Sequence, residues 1–430
     1  MKKTDTFPAI LLTGLALGTA WAVRGQFGHE HGATWAGGIG CLTLLLLSKR
    51  KDWIASALPV TLAGALGWGI GGVASYGKVV GYARSTDFGN VYYGLLMLLI
   101  IGGLFGFLGG GLFGIALSTP KNRKGIPWHK LITEMVIGAI VTYFFVVEQF
   151  GWRMTPPRSE LWAGCLGMAF AAAWYMVRQE MYAALRVALF TSFGAGFGFA
   201  FGNFLQVLGS VSELKFNFWN VMEYSIGFFG GTSMAYSVLT SKWEEKDQGA
   251  GKVVHQLPLI ILMAVVPFIM WQQNVGTEKL HARFSGLHEG FPYWVSGLVN
   301  WGPYFLFFGL TYLMSRKGSS LRSFEGMFSF YKVYFGLYIL LSILVTGAFF
   351  SLYRVEQYLY LLNFIPIIYL VPRIAPGWKN DLPAPVNYKL NLIWLLIFLA
   401  ILAVLAANSH PNDLGGANYR FGPKANLEAE

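Results

Sequence analysis

Residues 91–118 read VYYGLLMLLIIGGLFGFLGGGLFGIALS. This stretch of 28 residues contains no charge, and it is longer than the roughly 20 apolar residues that cross a bilayer core as a helix. Within it Gly102, Gly106, Gly110 and Gly114 stand four apart, which puts them on one helix face. A face without side chains lets a second backbone approach closely, and in lipid that contact is what holds helices together. The strict alternation expected of a membrane β-strand is absent. The stretch therefore reads as a transmembrane helix with a glycine packing seam.

Twelve further apolar runs resemble it, near 7–24, 32–48, 53–76, 129–149, 160–177, 183–209, 217–240, 254–272, 294–314, 326–350, 356–372 and 389–407. The 430-residue chain is 55 % apolar, 17 % aromatic and only 12 % charged. A soluble domain carries about 25 % charge, so this chain cannot cover a water-facing surface of its size. Two cysteines, Cys41 and Cys165, exclude a disulfide scaffold and read as small packing residues. The expected fold class is all-α: a polytopic integral membrane protein of about 13 transmembrane helices.

Charge gives the expected orientation. With the N-terminus inside, 21 of the 32 Lys and Arg residues fall on the inner side, among them Lys2, Lys3, Lys49-Arg50-Lys51, the cluster Lys121 to Lys130 and Arg316-Lys317. The inner side then nets +12 and the outer side −1. The C-terminal tail, from about Asn408, is placed outside. A net charge of +11 thus signals topology and anionic lipid, and no nucleic-acid partner. The expected location is the plasma (inner) membrane, multi-pass. Lys2-Lys3, an apolar run and Ala20-Trp21-Ala22 resemble a signal peptide. Because the stretch that follows repeats later in the chain, the first run reads instead as an integral helix.

The first eight runs read as four parallel two-helix hairpins. Trp35-Ala36-Gly37 to Gly40 matches Trp162-Ala163-Gly164 to Gly167, and Ser225-Ile226-Gly227 to Gly230 is a looser copy. Glycine ladders recur at Gly14, Gly18 and Ala22 and at Gly194, Gly198 and Gly202. The last five runs lack them and are Leu-, Ile- and Phe-rich. Two units are therefore expected: 1–250, four glycine-rich hairpins carrying an outward-facing site, and 251–430, a five-helix unit with an outer amphipathic segment at 277–290 and the tail. Leu280, Phe284 and Leu287 form that segment's apolar stripe.

All four hairpin tips face the outer side and hold the unusual chemistry. The candidate substrate-binding residues are Arg24, His29, Glu30, His31, Lys78, Arg84, Asp87, Arg153 and Asn203. Arginine makes forked contacts with carboxylate or phosphate, so the cationic set suits an anion; pairing with nearby acids or snorkelling to the interface is the plain alternative. Histidines two apart do not share a helix face, so His29-Glu30-His31 reads as a loop, for proton handling, substrate hydrogen bonding or helix capping. Glu148 and Glu223 are the candidate proton-coupling residues. Glu223 lies about two turns into its helix, where a charge is costly and usually faces a cavity or partner; a neutral acid bonded to a neighbouring helix is the alternative. A relay through His29 and His31 would connect it to the outer side.

No Walker motif, nucleophile elbow, kinase signature or zinc signature is present, so no cofactor and no metal site is expected. The expected partners are the lipid bilayer and a small-molecule substrate, and the sequence carries no signal of oligomeric state. These readings point to a secondary transporter, proton-coupled through Glu223, for a small polar substrate of anionic or sugar-like character. A membrane-embedded transferase acting at the outer face on a lipid-linked substrate, and a structural subunit of a membrane complex, are the alternatives.

Overall fold

The computed structural model describes residues 6–118, 125–244, 256–374 and 386–426. Lys2, Lys3, Lys121 and the 250/251 unit boundary lie outside the described residues. Those described are all-helical, without a strand, as required where lipid offers no partner to an open backbone. The main helices are α1 Phe7–Arg24, α2 His31–Ser48, α3 Ala57–Gly72, α4 Phe88–Leu117, α5 Trp128–Tyr143, α6 Leu161–Arg178, α7 Tyr182–Val211 and α8 Phe218–Leu239. After these come α9 Gln256–Asn274, α10 Thr277–Ser285, α11 Tyr293–Ser315, α12 Phe324–Thr346, α13 Val355–Leu370 and α14 Tyr388–Ala407. Each of the thirteen apolar runs falls on a helical segment. Eight of these helices are long and apolar enough to cross a membrane, and the chain is that of a membrane protein.

Local chemistry explains several of the ends. Asp87 caps α4 by accepting from the Asn90 amide, and Ser323 caps α12 by accepting from Gly326. Gly347 ends α12 at φ +74°, a left-handed geometry that suits glycine. In α9 the turn Ile261–Val265 widens to π geometry just before Pro267, which has no N–H to close an ordinary turn. The run expected at 53–76 divides into a short helix Lys51–Ala55 and α3. Residues 73–78 leave the helix, and that exit carries Tyr76 to the site described below.

Helices α1, α2, α3, α4, α7 and α8 form a closed ring, each packing on the next and α8 returning to α1. The glycine ladders make its seams. A Cβ placed on Gly102 would stand 2.6 Å from the Ala195 carbonyl oxygen, and one on Gly202 2.8 Å from the Met222 Cα. Gly106 lies against the Thr191 carbonyl, Gly198 against that of Ser225 and Gly227 against that of Leu17. The ring's centre is filled. Trp68 sits against Gly37 of α2, Gly109 of α4 and Gly230 of α8, and its indole meets Trp21 edge-on at 5.0 Å. The α5–α6 hairpin stands outside the ring against α4, with little of α5 buried.

Helices α9, α12 and α13 pack on the α1–α2 side, whereas α14 lies across the molecule on α4 and α7. The helices after residue 251 therefore do not share one set of neighbours. Helix α10 buries Leu280 and Phe284 beside α11, as its apolar stripe requires. The C-terminal segment is tied down: the Leu414 amide donates to the Arg84 carbonyl at 3.0 Å and the Asn418 amide to that of Gly81 at 3.1 Å.

Candidate functional site

Arg24 is the last residue of α1, and the chain turns back into α2 within six residues. Gly28 at φ +80° permits that turn, and Asn274 of α9 pins it by donating to the Phe27 carbonyl at 3.0 Å. The turn returns His29 over Arg24, with Arg24 Nη1 to His29 Nδ1 at 2.8 Å. A guanidinium only donates, so Nδ1 accepts. Arg24 Nη2 is ion-paired with the Glu223 carboxylate across the α1–α8 contact. Tyr76 donates to the same carboxylate at 3.4 Å, and His29 meets the Tyr76 ring edge-on at 5.1 Å. Arg24 is 1 % exposed and Glu223 5 %, so the pair is held out of solvent. Arg24 also stands 4.9 Å over the Trp21 ring, and its Nε has no partner among the described residues.

These groups form the floor of a cavity of about 290 Å³. Its wall adds Gln26, Asn217, Trp219 and Asn220. Asn220 and Glu223, three apart, share a face of α8. Every lining residue precedes residue 250. The loop after α5 contributes a second cation. Buried Glu160 accepts from the Met154 amide at 2.8 Å, the Thr155 amide at 3.0 Å and the Trp162 indole at 2.6 Å, which shapes that loop. The Lys78 amide donates to the Pro156 carbonyl at 3.1 Å, tying it to the Tyr76 segment. The charge of Arg158 on this loop reaches both His29 and Tyr76. Arg24 and Glu223 balance one another at the cavity floor, and the exposed Arg158 on the neighbouring loop adds positive charge nearby.

Of the residues expected to bind substrate, the structure brings Arg24 and His29 to the cavity, and Glu223 with them. The others are placed elsewhere for identifiable reasons. Asp87 is spent as the α4 cap. Arg84 donates to the Gly415 carbonyl at 2.7 Å, holding the C-terminal segment, though it lies 5.7 Å from the Trp219 ring at the cavity's edge. Asn203 is buried beneath, bonded to Gln206 at 3.0 Å. Glu30 and Arg153 are exposed, His31 opens α2, and neither these nor Lys78 line the cavity. Glu148 sits exposed on the π segment Phe144–Gln149, outside the ring, because the α5–α6 hairpin that carries it packs on the periphery; it does not meet Glu223 at the cavity. Among the described residues no three His, Cys, Asp or Glu side chains gather. In the sequence Tyr76, Asn217 and Asn220 stand among the polar residues of the hairpin tips and Trp219 among the outer-side aromatics, but none of them is singled out as a site residue.

The relay expected of His29 needs correction. Burial, then the charges of Arg24 and Arg158, pull its pKa down to about 3. It is neutral near pH 7 and serves as the acceptor that orients Arg24. A measurable consequence follows from linkage. An unfolded histidine titrates near 6.5, so the unfolded chain binds the extra proton first as pH falls. Stability attributable to His29 is complete above pH 6.5 and declines from there toward pH 3, by about 2 kcal/mol at pH 5. The melting temperature of the detergent-solubilised parent should fall across that window, and His29→Gln should flatten the slope; equal slopes would show His29 to be solvated.

Comparison with protein-family models, curated proteins and solved structures finds no match.

Proposed function

We propose that the chain is a secondary transporter of the plasma (inner) membrane for a small polar anion, coupled to protons through Glu223. The observation that carries this reading is the buried Arg24–Glu223 pair at the floor of a polar cavity with Arg158 close by. A substrate oxyanion is a competitor for Arg24. When it takes the guanidinium, Glu223 loses its cation, and in this reading a proton takes the cation's place on the carboxylate. Anion binding and proton uptake are thereby joined in one exchange. The amides of Gln26, Asn217 and Asn220 suit hydroxyl or amide groups on the same substrate, and Trp219 offers an apolar face. The cavity's volume, at the low end of ligand pockets, favours a small carboxylate or sugar acid.

In this reading the chain crosses the membrane 13 times, with the N-terminus inside, the cavity and C-terminus outside, and the first eight helices derived from parallel hairpin repeats. The glycine seams of the ring support movement of helix against helix. The test is uptake into proteoliposomes. Sidedness is fixed by Glu213→Cys, exposed at the cavity end, reacting with an impermeant thiol reagent in a Cys41→Ala, Cys165→Ala background. An inward proton gradient should drive accumulation of small radiolabelled carboxylates at least tenfold above protein-free vesicles, and collapsing the gradient should abolish it. Chemical turnover of a probe without accumulation would favour a membrane enzyme instead.

A further inference from the structure

The cavity has no lining residue from the helices after residue 250, yet polar side chains of α13 bond to the lining residue Asn217 and to Tyr224, next to the lining residue Glu223. Glu356, Gln357, Tyr360 and Asn363 follow i, i+1, i+4, i+7, which makes one stripe on α13 in an otherwise apolar helix. The stripe runs about 10 Å along the helix axis. At its cavity end, Glu356 accepts from Arg354 at 3.1 Å and from the cavity residue Asn217 at 3.4 Å. At its other end, Asn363 donates to Thr19 of α1 at 3.2 Å and to Tyr224 of α8, the residue next to Glu223, at 3.4 Å. Between them, Ser342 of α12 donates to Gln357 Oε1 at 2.7 Å.

Two groups in the middle are unpartnered. Gln357 Nε2 and Tyr360 Oη have no hydrogen-bond partner among the described residues, and both side chains are at least 97 % buried. A buried polar group without a partner costs about 1–3 kcal/mol, so a polar guest bonded to both would be favoured on this stripe. Tyr338 of α12 donates to the Gly32 carbonyl at 2.9 Å and its ring lies 5.5 Å from that of Phe27, so it stands against the turn that carries His29. The Arg24–Glu223 pair therefore stands between two polar regions, the cavity on one side and the α12–α13 stripe on the other. Beyond Asn363 the same face continues as fully buried Ile367, and the polar path ends there.

We propose that the α13 stripe is a second, hydrated station for the substrate, reached when the Arg24–Glu223 pair opens. Gln357, Tyr360 and Asn363 receive the substrate's uncharged hydroxyl or amide groups, while the ion pair is the gate between the stations. The inference rests on the transport reading, but its first test does not. Hydroxyl-radical footprinting of the full chain in lipid nanodiscs reads contact of a side chain with water. Tyr360, 3 % exposed, should be oxidised at least five times faster than Tyr331, which is fully buried and satisfied by Thr43 at 2.7 Å; a smaller ratio overturns the station. In proteoliposomes that accumulate anion, Tyr360→Phe should keep anion binding at the cavity and slow uptake at least tenfold; an unchanged rate overturns it as well. Absence of uptake by the parent would count against the transport reading alone, since the footprint stands by itself.

Discussion

Gly106→Ala and Gly198→Ala should each lower the stability of the folded protein by about 3 kcal/mol, the upper end of what overpacking costs, whereas Gly302→Ala should leave it unchanged. The added atom is the same in all three. At Gly106 the new methyl group meets the Thr191 carbonyl of the facing helix, and at Gly198 that of Ser225. Both obstacles are backbone, so the helices must separate, and every seam contact along α4, α7 and α8 loosens with them. At Gly302 on α11 nothing lies within 4 Å. Thermal unfolding in detergent, followed by size exclusion, checks the order. Leucine at the same positions amplifies it: Gly106→Leu should yield no folded peak and Gly302→Leu a normal one. Three variants that melt with the parent would make the ladders incidental and the ring's seams loose.

The glycine periodicity made this much of the fold legible. Spacing of four marks a side-chain-free face, and the ladders of α1, α4 and α7 do meet a neighbouring backbone. What spacing could not say is which helix lies opposite. The α5–α6 hairpin carries the same Trp-Ala-Gly signature as α2, yet it packs outside the ring. Its sequence marks a helix pair and leaves the partner open. The site was legible in the same partial way. Arg24 and Glu223 stood out because a charge within or beside an apolar run is costly and needs a reason, but they are 199 positions apart and only the α1–α8 contact joins them. Arg84 and Asp87 looked equally promising on charge alone. Their actual duties, holding the C-terminal segment and capping α4, involve backbone groups that a reading of side-chain types does not weigh. The α13 stripe was the signal overlooked: four polar residues at helical spacing in an apolar run, in the Leu-, Ile- and Phe-rich half of the chain.

Removing one member of the Arg24–Glu223 pair should damage the protein far more than removing both. Glu223→Leu leaves a guanidinium 1 % exposed, beside a neutral His29 and over the Trp21 ring. Arginine does not give up its proton, so the charge stays buried and the loss should be about 3–5 kcal/mol. Arg24→Met leaves a carboxylate instead. Tyr76 still donates to that group at 3.4 Å, so the loss should be smaller. The double variant Arg24→Met, Glu223→Leu replaces a desolvated pair by apolar groups of similar length and should recover most of the parent's melting temperature, as isosteric replacement of buried pairs often does. Anion binding separates this outcome from mere repair of packing. Isothermal titration with a small carboxylate should show binding to the parent and none to the double variant, since the fold survives and the guanidinium that would hold the oxyanion is gone. A Glu223→Leu variant as stable as the parent would mean that Arg24 reaches water and does not depend on its partner. A double variant that still binds the anion would move the substrate away from Arg24 altogether.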